Sequence, residues 1–251
     1  MLEEKIKNFF VFDIAPEVLS SLIVIIIILI LVVIIRIQAG RQDPLKKPKG
    51  LLLIAEIGVN FFDGLVENLM GPAFRGFGGY IMAIATYLFI AFIFGLCGLP
   101  SPVTYLATPL SISFLTFMLI HITSARYTKW GYFKRYIDPI PIFLPINLIS
   151  MWAPLLSLTL RLFGNAIAGW TLMTIVYVAL ENLSTMIFSF LPAGINSLFI
   201  APLVAPILHA YFDLFSGFIQ TTVFIFLSMC LISNEVPEDL DTISLNSKGE
   251  R

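Results

Sequence analysis

LLSLTLRLFGNAIAG, residues 155–169, decides how this chain is read. Arg161 stands near its centre and is the single Lys or Arg between Arg135 and Lys248. A guanidinium near the middle of a bilayer costs at least ~2.5–3.5 kcal/mol on insertion scales, and arginine cannot shed its proton to escape that cost. A permanent charge in such a stretch points to function. The rest of the composition makes the setting a membrane: 58% hydrophobic, 12% charged, 23 Phe, and a mean hydropathy of +0.94 over 251 residues. Soluble domains carry about 25% charged residues, so this chain could not present a water-compatible surface. The expected fold class is an all-α polytopic membrane protein, organised as a single membrane domain over residues 1–251. With 15 basic and 16 acidic residues there is no basic excess to attract nucleic acid, which is excluded as a partner. Cys97 and Cys230 lie far apart in apolar runs without a CxxC or a nearby His pair, and read as packing residues.

The quoted stretch sits in one of two long apolar regions, 139–190 and 196–232, and the loop between them has no Lys or Arg. Read as one helix, residues 145–190 would extend about 67 Å at 1.5 Å per residue, roughly twice the hydrocarbon thickness. Residues 139–232 are therefore expected to form a long helical hairpin that tilts or bends. Pro154, Gly164, Gly169, Pro202, Pro206 and Gly217 are the candidate bend points.

Toward the N-terminus, residues 18–35 are uncharged and include fourteen consecutive aliphatics from Leu22 to Ile35. That length predicts a retained first transmembrane helix, residues 18–36, rather than a signal peptide. Arg36, Arg41, Lys46, Lys47 and Lys49 follow, with Pro44 and Pro48 among them, which places this loop in the cytoplasm. In residues 51–70, Glu56, Asn60, Asp63 and Glu67 recur at spacings of four, three and four, which predicts an amphipathic interfacial helix with one acidic face. No charge occurs between Arg75 and Arg126, and the Gly- and Pro-rich stretch 95–109 divides that run into a transmembrane hairpin, residues 80–125. The basic loop RYTKWGYFKR, residues 126–135, returns to the cytoplasm. The pattern gives about five transmembrane helices plus the interfacial helix, with the N-terminus outside and residues 233–251 an acidic cytoplasmic tail carrying Glu235, Glu238, Asp239 and Asp241.

Polar residues in the two long regions are few and selectively spaced. Ser157, Arg161 and Asn165 follow at intervals of four on the first; His209, Asp213, Ser216 and Gln220 follow at four, three and four on the second. Each set forms one helical stripe. Facing stripes make a polar path in which His209 and Asp213 can exchange protons or lower the cost of a cation, while Gln220 can help hold the Arg161 guanidinium. Ser157, Asn165 and Ser216 are also compatible with ordinary interhelical hydrogen bonding. For His209 and Asp213 the alternative is a satisfied polar pair that ties helices together.

At these residues the sequence resembles subunit a of the F-type ATP synthase, the stator of the membrane motor. The likeness is carried by TLRLFGNAIAG at 159–169 and FSGFIQTTVFIFLSMCLI at 215–232. It extends to KPKG before the amphipathic helix, PVTYLATPLSISF at 102–114 and PINLIS at the start of the long helix. The resemblance implies two ion half-channels against a rotating ring of c subunits, with the last two helices long and strongly tilted against that ring. Arg161 matches the essential arginine that meets the ring carboxylates, and Asn165 and Gln220 match polar residues flanking it. The implied partners are the c-ring, peripheral-stalk b subunits, the rest of the F1Fo complex, membrane lipid and the transported ion, a proton or sodium; no cofactor is implied.

The chain departs from the family's pattern in two places. Trp170 stands where relatives commonly carry Glu or His in the outer half-channel, and Ser150 and Met151 stand where acids are often found. Tryptophan cannot exchange a proton. The expectation is that Asp213 and His209 carry the outer path alone, with Trp170 narrowing or sealing it. Glu181, twenty residues beyond Arg161 and so about 30 Å along the helix, is a candidate for the channel mouth or a solvated helix-end carboxylate.

No G-x-x-x-x-G-K-[ST] loop, nucleophile elbow or metal-spaced His/Cys cluster occurs, so nucleotide chemistry would belong to partner subunits. Two alternatives stand beside the motor reading. One is a secondary transporter whose Arg161 binds an anionic substrate, although no inverted repeat is visible. The other is a scaffold in which Arg161 and Asp213 form a fixed ion pair. The expected location is a bacterial plasma membrane, with an organelle inner membrane as the alternative.

Overall fold

The computed structural model describes residues 15–42, 47–129, 144–190, 192 and 199–236. Lys46, the second basic loop from residue 130 onward, and Glu238, Asp239 and Asp241 of the acidic tail lie outside the described residues. Every regular element among the described residues is helical: α1 (Pro16–Arg41), α2 (Leu51–Met70), a 3-10 turn (Pro72–Phe77), α3 (Gly78–Ile93), α4 (Ala107–Thr128), α5 (Leu144–Ile187), α6 (Ala201–His209), a π-helix (Ala210–Phe215) and α7 (Ser216–Ser233). Five stretches are long and apolar enough to cross a membrane: Pro16–Arg41, Phe74–Cys97, Ala107–Thr128, Leu144–Ile187 and Ala201–Ser233.

Local sequence explains where α1 begins and what it can face. Pro16 occupies the first turn, where its missing N–H costs nothing, Glu17 joins it there, and Arg41 sits in the last turn. Only Ser20 and Val24 of α1 are buried, so its aliphatic surface is left for lipid. A hydrogen bond between Ser21 Oγ and Tyr87 Oη, 2.7 Å, ties it to α3.

The acidic face of α2 does more than meet solvent. Glu67 pairs with Arg75 at 2.7 Å, and the Asp63 carboxylate fills the space that a Cβ on Gly78 would need. A negative charge is thus placed at the first turn of α3, where the helix dipole favours it. Val66 and Met70 are buried, while Ile54, Ile57 and Phe61 remain exposed on the apolar side.

The core lies where α3 and α7 meet. Ile81, Ile84, Ala85, Leu88, Ala91 and Phe92 of α3 are buried at helical spacing, as are Gly217, Gln220, Thr221, Phe224, Ile225, Ser228, Met229 and Ile232 of α7. Met70, Ile81, Ile225 and Met229 form one cluster; Leu88, Phe92, Leu158, Leu162 and Phe224 form a second. Small residues let these helices approach closely, and Gly217 lies against Phe92. Between α3 and α4 the chain turns at Gly98, whose φ of +74° is a left-handed value that a side chain would strain. Cys97 and Cys230 are both exposed rather than packed, contrary to the expectation from composition.

The two long regions form as expected in kind but differ in detail. Helix α5 begins at Leu144 and runs 44 residues, about 66 Å, with Pro154 inside it and Gly164 and Gly169 in unbroken helix. The second region has Pro206 inside α6, then six residues of π-helix; Pro202 sits at the start of α6 and Gly217 within regular α7. A proline in the first turn initiates a helix instead of bending it.

Candidate functional site

Helices α5 and α6–α7 run antiparallel in a fixed register. Arg161 lies opposite Gln220, Asn165 opposite Ser216, and Gly169 opposite Phe212, so each step of four residues forward matches four residues back. The two polar stripes therefore face each other at Arg161 and Asn165, as their spacing suggested.

Contacts at Arg161 differ from the expectation. The Gln220 Nε2 donates to the backbone carbonyl of Arg161 at 2.9 Å and does not hold the guanidinium. Gln220 is 9% exposed, and Leu162 beside Arg161 is fully buried, so the backbone here is fixed from two sides. The guanidinium itself has a weak contact of 3.5 Å to Ser157 Oγ, one turn earlier. No carboxylate pairs with it among the described residues, and the Arg161–Asp213 pair of a scaffold does not form. Gly164, one turn on, has open space where a side chain would stand. Leu156, Leu160 and Ile167, within six residues of Arg161 on α5, are apolar and exposed.

Asn165 and Ser216 satisfy each other: the Asn165 Nδ2 is 3.0 Å and its Oδ1 3.2 Å from Ser216 Oγ. Beyond this pair the π-helix intervenes. A π turn holds more than the 3.6 residues of an α turn, so one extra residue turns the chain by about 100° relative to a continuous helix. His209 nevertheless still faces α5, where it meets Tyr177, and both His209 and Asp213 border one cavity with Asn165. Asp213 lies against Gly95 of the α3–α4 connection, whose absent side chain leaves the carboxylate its room.

His209 Nδ1 lies 2.6 Å from Asp213 Oδ2, and its Nε2 lies 2.8 Å from the Tyr177 hydroxyl on α5. Each long side chain leans toward the N-terminus of its own helix, which in an antiparallel pair brings Tyr177 and His209 together. These three side chains border a cavity of about 440 Å³, shared with Asn165, Trp170, Thr174 and, from the α3–α4 connection, Ser101 and Thr104. Trp170 is 63% exposed and forms part of the wall. Among the described residues that line it, Asp213 is the only Asp, Glu, Lys or Arg. Ser157 and Arg161 lie outside the cavity, two turns and one turn of α5, respectively, before its first α5 wall residue, Asn165. Glu181 is exposed one turn beyond Tyr177 and does not line it. Tyr177 and Gly95 were not legible as site residues; the one available signal for Tyr177 was a hydroxyl within an apolar helix.

A family model described as the ATP synthase A chain matches residues 18–233. The chain belongs to the ATP synthase A chain family. The match covers every element that builds the site, from α1 to α7. Among relatives, ATP synthase subunit a of Mycoplasma genitalium is 27% identical over 97% of this chain and 92% of its own length. Subunit a of Oceanobacillus iheyensis is 30% identical over 77% of this chain and 80% of its own. The sodium ion specific subunit a of Propionigenium modestum is 29% identical over 70% of this chain and 60% of its own. As a member of the ATP synthase A chain family, the protein is an ion-translocating membrane subunit of the Fo sector, in an assembly that contains a c-ring.

Proposed function

We propose that this chain supplies two proton half-channels to the c-ring and that Arg161 forces each arriving ring carboxylate to give up its proton. The observation that carries this reading is a guanidinium without a carboxylate partner among the described residues, on a backbone that Gln220 holds in place. Its charge is free for a partner, and the exposed apolar face around it suits a helix-lined ring. At 4 Å and an effective dielectric near 20, a fixed charge favours the ionised ring carboxylate by about 4 kcal/mol, which is about three pKa units. Because arginine does not titrate, it separates the half-channels without relaying protons between them.

In this reading the cavity at Asp213 and His209 is the outer half-channel, and Trp170 shapes its wall in place of a titratable side chain. The chain acts as one membrane domain, with its N-terminus outside and C-terminus in the cytoplasm of a bacterial plasma membrane. The basic residues Arg36 and Arg41 toward the end of α1, and Lys47 and Lys49 before α2, support that orientation. The weakly packed α1 and α2 surfaces are left for peripheral-stalk b subunits and lipid.

The test is ATP-driven acidification of inverted vesicles carrying the whole complex, comparing wild type with Arg161→Ala and Trp170→Glu at several sodium concentrations. Arg161→Ala is expected to abolish pumping while assembly and ATP hydrolysis persist, and Trp170→Glu to retain it. Pumping independent of sodium identifies the proton. Survival of pumping in Arg161→Ala overturns the reading.

A further inference from the structure

We infer that Tyr177 is a positioning residue for proton exchange at His209 and Asp213, holding the imidazole in the tautomer that presents Nδ1–H to the carboxylate. This inference rests on the cavity being the outer half-channel. His209 is held at both ring nitrogens, by Asp213 Oδ2 at 2.6 Å and by the Tyr177 hydroxyl at 2.8 Å. Whenever the Asp213 carboxylate is ionised it can only accept, and Nδ1 opposite it then carries the hydrogen. In the neutral ring Nε2 is then a bare acceptor, and the Tyr177 hydroxyl donates to it. When the ring is protonated, Nε2 carries hydrogen as well, and the same hydroxyl turns to accept. A phenol is suited to this place because it donates or accepts without moving its oxygen. His209 can therefore gain and lose a proton with its orientation unchanged.

The proton count closes through the hydroxyl. A hydronium ion reaching the cavity gives its proton to the Tyr177 oxygen and leaves water, as the hydroxyl's own proton passes to Nε2; the products are a neutral phenol and an imidazolium, and loss from the imidazolium to water reverses the step. Among the described residues no other charged side chain lines the cavity, and the α3–α4 connection contributes Gly95, Ser101 and Thr104, which do not titrate. The nearest further charges along α5 are Glu181, one turn past Tyr177, and Arg161. With Trp170 unable to exchange protons, the orientation of this one imidazole governs access to Asp213.

Only two histidines occur in the chain, so His121 serves as an internal control for ¹⁵N-histidine spectra of the assembled complex. Wild type is expected to show His209 with Nδ1 protonated in the neutral ring. Tyr177→Phe is expected to introduce the Nε2–H tautomer at His209, leave His121 unchanged, and lower passive proton conduction through Fo about three- to tenfold. Adding Tyr177→Phe to His209→Ala should then cause no further loss, because tyrosine acts through the imidazole. The inference is overturned by a wild-type His209 already in the Nε2–H tautomer, a measurement independent of how the variant assembles. It is also overturned by an unchanged spectrum or flux in Tyr177→Phe, or by multiplied losses in the double variant. Arg161→Ala run in parallel separates the two readings: if it pumps normally the motor reading fails, whereas Tyr177 results alone bear on the positioning role.

Discussion

Gly95→Ala should slow ion flow without disturbing assembly. A Cβ at residue 95 would stand 3.2 Å from both Cγ and Oδ2 of Asp213 and 3.4 Å from Oδ1, closer than ordinary contact, so the carboxylate must yield by a few tenths of an ångström. Asp213 has little freedom to do so, since its Oδ2 is engaged by His209 Nδ1 at 2.6 Å. If the displacement falls on that bond, it lengthens to about 3 Å, from the short charge-assisted range to an ordinary one. The loss is about 1 kcal/mol out of the roughly 1.5–3 that a bond to a charged group contributes, which corresponds to about a fivefold slower passage through the cavity.

The assay is passive proton conduction by Fo in vesicles under an imposed potential, with ATP hydrolysis after F1 rebinding as the measure of assembly. Gly79→Ala is the matched control, because nothing lies within 4 Å of its added carbon and the residue is helical and exposed. Gly95→Val should block more severely than alanine. Wild-type conduction in both Gly95 variants would refute the claim that this glycine makes room for Asp213, and with it the place of Asp213 on the path.

Other changes follow from the same contacts. Gln220→Leu removes the donor to the Arg161 carbonyl, a loss of about 0.6–1.7 kcal/mol for an interhelical bond in a membrane protein; ATP-driven pumping should fall more than ATP hydrolysis when both are measured on one vesicle preparation. Gly217→Ala places a carbon 2.6 Å from Phe92 Cβ and 2.9 Å from its Cγ. Such overpacking costs about 1–3 kcal/mol, so the complex should lose integrity at a lower temperature in a thermal dissociation assay, whereas Gly40→Ala, in open space, should not.

What the sequence revealed is what a membrane penalises. Charged and amide side chains within apolar helices stand out because each needs a partner or a purpose, so Arg161, Asn165, Asp213 and Gln220 were visible from spacing alone. The spans were equally visible, and the acidic face of α2 was found, though its work at Gly78 and Arg75 was not. Tyr177 was hidden because an aromatic residue in an apolar helix reads as packing, and the chain has eight tyrosines. The π-helix was hidden for a different reason: it shifts hydrogen bonds by one residue without any signature in composition. Gln220 has both a donor and an acceptor, so spacing placed it beside Arg161 but could not say whether it met the guanidinium or the backbone.

That last distinction matters for how a fixed charge can serve a moving partner. Had Gln220 held the guanidinium, every ring carboxylate reaching Arg161 would have had to displace an existing bond. Gln220 instead fixes the main chain at 2.9 Å and leaves the side chain with a single weak contact to Ser157. Position is thus set through the backbone while the charge stays available. The proposed exchange pair lies further along the same two helices, where His209 meets Tyr177 of α5 and Asp213 lies against Gly95. In the proposed mechanism the permanent charge and the exchangeable groups thus stand at different places along one helix pair, and the arginine, which does not titrate, keeps a proton from crossing without the ring turning.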